Sequence, residues 1–111
     1  MDVDIRREDG IGVLAVDGYI NNTGGEQLAE ACEGLLAEGA NTFVINLEKC
    51  SIVNSVGISF LIEVLEKVKE GGGRVGFCSV SPTIAKTFRI MGLLQAAELF
   101  GDEQDALRAL A

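Results

Sequence analysis

The sequence contains no histidine, a single proline, and only nine lysines and arginines against seventeen aspartates and glutamates. Without histidine it lacks both the commonest metal ligand and the commonest general base at neutral pH, which leaves few routes to enzyme chemistry. No catalytic residue, metal or cofactor is therefore expected. The formal charge of -8 disfavours attraction to phosphate backbones and anionic lipid surfaces, since both are themselves negative. Nucleic acid is accordingly not an expected partner. No run approaches the roughly 20 apolar residues of a membrane span. The opening residues, MDVDIRRED, contain no apolar core of a signal peptide. The expectation is a soluble, cytoplasmic protein without direct membrane insertion.

Cysteine is also scarce. Cys32, Cys50 and Cys78 are odd in number and form no CxxC pair, which fits a reducing compartment. Cys32 and Cys78 fall within apolar patterns, as small core residues do. Cys50 follows Lys49 and is the candidate for a lowered thiol pKa. The glycine clusters Gly24-Gly25 and Gly71-Gly72-Gly73 match neither a P-loop nor a dinucleotide fingerprint and read as turns or helix ends. No GxSxG elbow is present, which argues against a serine hydrolase.

What is there is globular. At 111 residues, with 48% apolar and 23% charged residues, the composition suits one domain spanning 1–111. Val3 to Glu8 and Ile11 to Val16, separated by Asp9-Gly10, read as a β-hairpin closed by Gly18. Thr23-Gly24-Gly25-Glu26 has capping-box spacing and predicts a helix start, with Leu28, Ala31, Cys32, Leu35 and Leu36 as its apolar stripe. Thr42 to Leu47 reads as a central strand covered on both faces. Asn54 or Ser55 caps a second helix with Ile58, Leu61, Ile62, Leu65 and Val68 facing the core, stopped by Gly71-Gly72-Gly73. Arg74 to Ser79 follows as a strand, and Ser81-Pro82 as the start of a third helix ended by Gly92. A short strand within Ala96 to Phe100 and a helix from Asp102 complete the chain. Helices between strands imply parallel crossovers, hence an α/β fold with a mixed, mostly parallel β-sheet.

The segment between Asn46 and Gly57 leads from the buried strand into the N-terminus of an amphipathic helix. Unpaired backbone N–H groups and the helix macrodipole favour anions there, so a phosphate on Ser55 would meet donors directly. It would add about -1.5 to -2 charges, enough to expel a partner docked over that helix end. On its residues alone Ser55 is equally a good N-cap. Val56, Phe60 and Val64 recur every four residues beside the core stripe and form a possible docking strip with Phe60 as anchor. The competing reading is that neighbouring helices cover that flank. Ser59, one turn beyond Ser55, borders the same surface. Glu63, Glu66 and Glu70 read as a solvated face.

NLEKCSIVNSVGISFL, residues 46–61, resembles the central signature of STAS-domain anti-sigma factor antagonists, in which a strand leads to an Asp-Ser-Ser/Thr-Gly turn and an apolar helix. RVGFCSV, SPTIAKTFRIMGL and the DEQDALRAL ending keep the family's order, so the resemblance covers essentially the whole chain. It implies the STAS fold, with about five strands and about four helices lying largely on one face. It also implies a bacterial partner-switching protein that regulates sigma-factor-dependent transcription. The unphosphorylated form binds an anti-sigma factor that is also a serine kinase, phosphorylation at Ser55 releases it, and a PP2C-type phosphatase removes the group. The partner-binding residues by this resemblance and by position are Asn21, Asn54, Ser55, Val56, Gly57, Ser59 and Phe60. Two positions depart from the pattern: Asn54 stands for the acid of the turn, and Asn21, in Gly18-Tyr19-Ile20-Asn21, for the acid after the second strand. Those replacements leave room for an alternative, a constitutive STAS subunit of a lipid-transport ABC system or stressosome-like scaffold that phosphorylation does not switch.

Overall fold

Asp9 and Gly10 both adopt positive φ (51° and 85°), as a two-residue hairpin turn matched to the twist of its strands requires. In the computed structural model, which describes residues 1–111, they join β1 (Asp2–Glu8) to β2 (Ile11–Ile20) in antiparallel register. Three parallel strands follow: β3 (Thr42–Val53), β4 (Arg74–Cys78) and β5 (Glu98–Phe100), in the spatial order β1-β2-β3-β4-β5.

Because the strands are added in one direction, right-handed crossovers must all fall on one side of the sheet. They do. α1 (Asn22–Ala37), α2 (Ser55–Glu70) and α3 (Pro82–Ile90), the last followed by a 3-10 turn at Leu93–Gln95, pack on one face. Leu28, Cys32 and Leu35 of α1, Ile58, Leu61, Leu65 and Val68 of α2, and Ile84 and Phe88 of α3 meet Leu14, Val16, Phe43, Ile45, Leu47, Val75 and Phe77 of the sheet. The Phe77 and Phe88 rings lie 4.8 Å apart, tilted by 51°. The fourth helix, α4 (Glu103–Leu110), covers the opposite face, where Ala106 and Leu110 pack on Ile11, Val13, Val44 and Cys78. The α/β class, the mixed sheet, the central position of β3 and three of four helices on one face agree with the reading from sequence.

Several local expectations are corrected. β2 does not close at Gly18 but continues to Ile20, Gly18 taking φ 121° at a register shift. β3 continues past Leu47 to Val53, so most of the supposed connection before α2 is strand. α1 starts at Asn22 and is capped by Asn21, whose Oδ1 accepts the Gly24 N–H at 2.9 Å. The Thr23–Glu26 capping box does not form. Gly24 and Gly25 are neither turn nor helix end: they lie in the first turn of α1, buried. A Cβ on Gly25 would come within 2.7 Å of the Phe60 ring, and one on Gly24 within 2.7 Å of both Met1 Sδ and the Tyr19 carbonyl. Close packing, not chain reversal, is what those glycines serve.

Candidate functional site

The parallel strands β2 and β3 end side by side, with Ile20 opposite Val53, and each runs directly into a helix. Carboxyl ends of parallel strands are where α/β sheets commonly place their binding sites. Asn21 caps α1, and Asn54 caps α2 by accepting the Gly57 N–H at 2.8 Å. The two helix starts are tied together, because the Asn54 N–H donates to the Ile20 carbonyl at 3.1 Å. Gly57 lies against that same carbonyl, and a Cβ there would be 2.2 Å from the oxygen. Glycine is thus the residue that lets α2 approach the end of β2.

Since Asn54 takes the cap, Ser55 is left as the first residue of α2, exposed to solvent. Its carbonyl accepts from Ser59 Oγ one turn on, at 3.1 Å. The first turn of α2 carries no acidic residue, so the positive end of its macrodipole is not offset by a side chain there. An anion on Ser55 would sit beside the backbone N–H groups of Ser55 and Val56, which the helix cannot pair internally.

The structure brings Asn21, Asn54, Ser55, Val56 and Gly57 together at this end of the sheet, but their accessibility differs. Ser55, Val56 and Ser59 are exposed; Asn21 and Asn54 are half-buried with their side-chain oxygens engaged as caps; Gly57 is buried. Phe60 is half-buried with its ring over Gly25, so α1 covers that flank of α2. Val64 is buried outright, and the Val56-Phe60-Val64 strip is not a continuous docking surface.

Two residues were missed. Tyr19 and Ile52 are cross-strand neighbours with 40% and 52% of their surfaces exposed, and Val56 nearby is 44% exposed. Ile20 and Val53, the residues after them, pack into the core on the helical side, so Tyr19 and Ile52 point to the other face, beyond the part of it that α4 covers. Alternation continued through Tyr19-Ile20 and Ile52-Val53 was the available signal.

The expectation of a lowered thiol pKa at Cys50 is overturned. Burial pushes that thiol up, and its S–H donates weakly to the Ile52 carbonyl at 3.6 Å. Burial likewise pushes Cys32 up to about 12 and Cys78 to about 11. On the α4 face, Glu103 accepts from Asn46 Nδ2 at 3.1 Å and from Arg6. Burial alone would raise its carboxyl pKa, yet those hydrogen bonds and the Arg6 charge hold it below the usual value.

The STAS domain family model matches residues 2–106. The chain belongs to the STAS domain family. This STAS domain is similar to solved structures along its whole length. A Mycobacterium paratuberculosis structure described as an anti-sigma factor antagonist is 26% identical, with a TM-score of 0.85 over 98% of this chain and 92% of the other. The Bacillus cell fate determinant SpoIIAA in its phosphorylated form is 20% identical, with a TM-score of 0.79 over 99% of this chain and the whole of the other. Among curated proteins, BtrV of Bordetella bronchiseptica, named as an anti-sigma factor antagonist, is 22% identical over 91% of this chain and 87% of its own length. No helix is long and apolar enough to cross a membrane.

Proposed function

We propose that this STAS domain, acting as one unit over residues 1–111, is an anti-sigma factor antagonist. Unphosphorylated, it binds an anti-sigma factor with serine kinase activity; phosphorylation of Ser55 releases it, and a PP2C-type phosphatase resets it. The observation that carries this reading is the exposed Ser55 at the start of α2, with the solvent-exposed apolar side chains of Tyr19, Ile52 and Val56 at the same end of the sheet. The names of the relatives point the same way. An apolar partner surface resting there would have to cover a phosphate that strongly prefers water, so modification opposes docking with no change of fold.

Asn21 and Asn54 fit a switch as well as acids would in one respect. Both cap their helices, and neither places a negative charge beside the acceptor hydroxyl. Their lack of charge also favours the second reading, an unswitched subunit of a transporter or scaffold. Incubation with the candidate kinase and ATP, followed by phosphate mapping by mass spectrometry, separates the two. One phosphate on Ser55, absent in Ser55→Ala, and a Ser55→Asp variant that no longer binds the anti-sigma partner support the switch. Modification that persists in Ser55→Ala, or tight binding by Ser55→Asp, sinks it. Co-purification with a transporter ATPase regardless of the state of Ser55 establishes the alternative.

A further inference from the structure

The nine cations of this acidic chain divide unevenly. Arg6, Arg7, Lys67, Arg74 and Arg108 are paired with carboxylates. Lys49, Lys69, Lys86 and Arg89 are not, and three of these four gather around one feature on the α2–α3 side. There a groove of about 260 Å3 runs between the C-terminal half of α2 and the turn after α3, with Ile62, Leu65 and Leu93 along it, Met91 on one wall and Lys69 on its rim. Lys86, Arg89 and Ile90 are exposed on the outer face of α3 at the helical spacing that makes them neighbours, and α3 carries no acidic residue. Ile90 is 71% exposed, the most exposed large apolar side chain of the chain, and Met91 beside it is 51% exposed. Glu66 and Glu70 border the groove. Three cations to two carboxylates here compares with nine to seventeen overall, so this is a basic, apolar patch on an acidic protein.

We infer that the α3 face and its groove form a second docking surface, for a protein segment that carries carboxylates beside one large apolar side chain. Unpaired cations at a rim and an apolar floor select by charge and by burial together, since neither sign of charge is neutralised until the partner arrives. The groove is smaller than the usual small-molecule cavity and suits a side chain. An anionic bilayer is disfavoured by the -8 charge of the whole chain, which a flat surface would feel and a narrow segment would not. This surface is separate from Ser55: the 11 residues of α2 from Ser55 to Glu66 rise about 16 Å at 1.5 Å per residue. The inference therefore stands or falls independently of phosphorylation.

A random 12-residue peptide library displayed on phage, panned against the full chain, tests it. Binders from the library are then measured on the parent and on Lys86→Glu/Arg89→Glu/Ile90→Asp, whose substitutions are all at exposed positions. Phosphatidylglycerol vesicles and sedimentation of the chain alone are run in parallel. The expected result is enrichment of peptides with two or more acids around a Leu, Phe or Trp. Their affinity should fall at least tenfold on the triple variant and in 0.5 M salt, while both proteins keep the same thermal midpoint. Peptides that are neutral or basic, or that bind the triple variant equally, overturn the inference, as does a library that yields no binders. Vesicle binding without peptide binding would assign the patch to lipid, and self-association lost in the variant would assign it to a second copy; either replaces the partner inferred here.

Discussion

The Asn54 N–H donates to the Ile20 carbonyl at 3.1 Å, one residue before Asn21 caps the neighbouring helix. The starts of α1 and α2 are consequently one rigid unit at the end of the sheet. Disturbance at either cap is passed to the other through Ile20.

Gly57→Ala should be costly, although alanine is the better helix former. Its Cβ would fall 2.2 Å from the Ile20 carbonyl oxygen, a backbone atom that cannot turn aside. A loss of about 2 kcal/mol or more is expected from overpacking of this kind. Urea unfolding checks this, and an unchanged midpoint would show that α2 does not rest on β2 as described.

Asn54→Ala removes the acceptor for the Gly57 N–H and should cost about 1 kcal/mol, whereas Asn54→Asp keeps the acceptor and adds a charge suited to a helix start. Ser55→Ala, at an exposed position with its side chain outside the cap, should stay within about 0.5 kcal/mol of the parent. Thermal scans of the three variants side by side should place Asn54→Asp at or above the parent, Ser55→Ala near it, and Asn54→Ala clearly lower.

Ile52→Asp and Tyr19→Ala should leave folding nearly untouched, because both side chains are largely in solvent. Each should nonetheless weaken binding to the anti-sigma partner at least tenfold, about 1.4 kcal/mol, if they anchor it. Surface plasmon resonance on the unphosphorylated protein is the direct reading, and parental affinity in both would remove them from the interface.

Acid should loosen α4 before the rest of the fold. The hydrogen bonds from Asn46 and Arg6 hold the Glu103 carboxyl below its ordinary value. A carboxyl with a depressed folded pKa adds stability at pH above its unfolded value, and that increment fades as pH falls through the folded value. Glu103→Gln should be less stable than the parent by about 1 kcal/mol at pH 7, the scale of one charge-assisted hydrogen bond in a half-exposed setting. The gap should close below about pH 4, where the parent carboxyl is protonated as well. Unfolding midpoints of the two proteins from pH 7 to pH 3 measure it.

The succession of strands and helices was legible because each buried stripe has one clear period, as in Ile58-Leu61-Leu65-Val68. The lengths of β2 and β3 were not. Register shifts near Asp17 and Gly18 break strict alternation, and beyond Leu47 one face of β3 has no helix over it, so exposed Glu48, Ser51 and Ile52 look like a loop. The start of α1 was misplaced because Gly24 and Gly25 look like breakers locally. What requires them is Phe60 and Met1, distant in sequence. Cys50 misled for a related reason: neighbours in a strand point to opposite faces, so Lys49 goes to solvent while the thiol goes inside. Ser55 was placed correctly at a helix start, but whether it caps or stands free depended on Asn54, whose side chain the sequence left as an equal candidate.

One helix alone shields the second face of the sheet, and beneath it lies Cys78, packed with Ala106 and Leu110. The sulfur therefore acts as a tell-tale for that helix. Alkylation of Cys78 can proceed only while α4 is lifted, so its labelling rate counts the openings of the C-terminal segment without any probe being added to the protein.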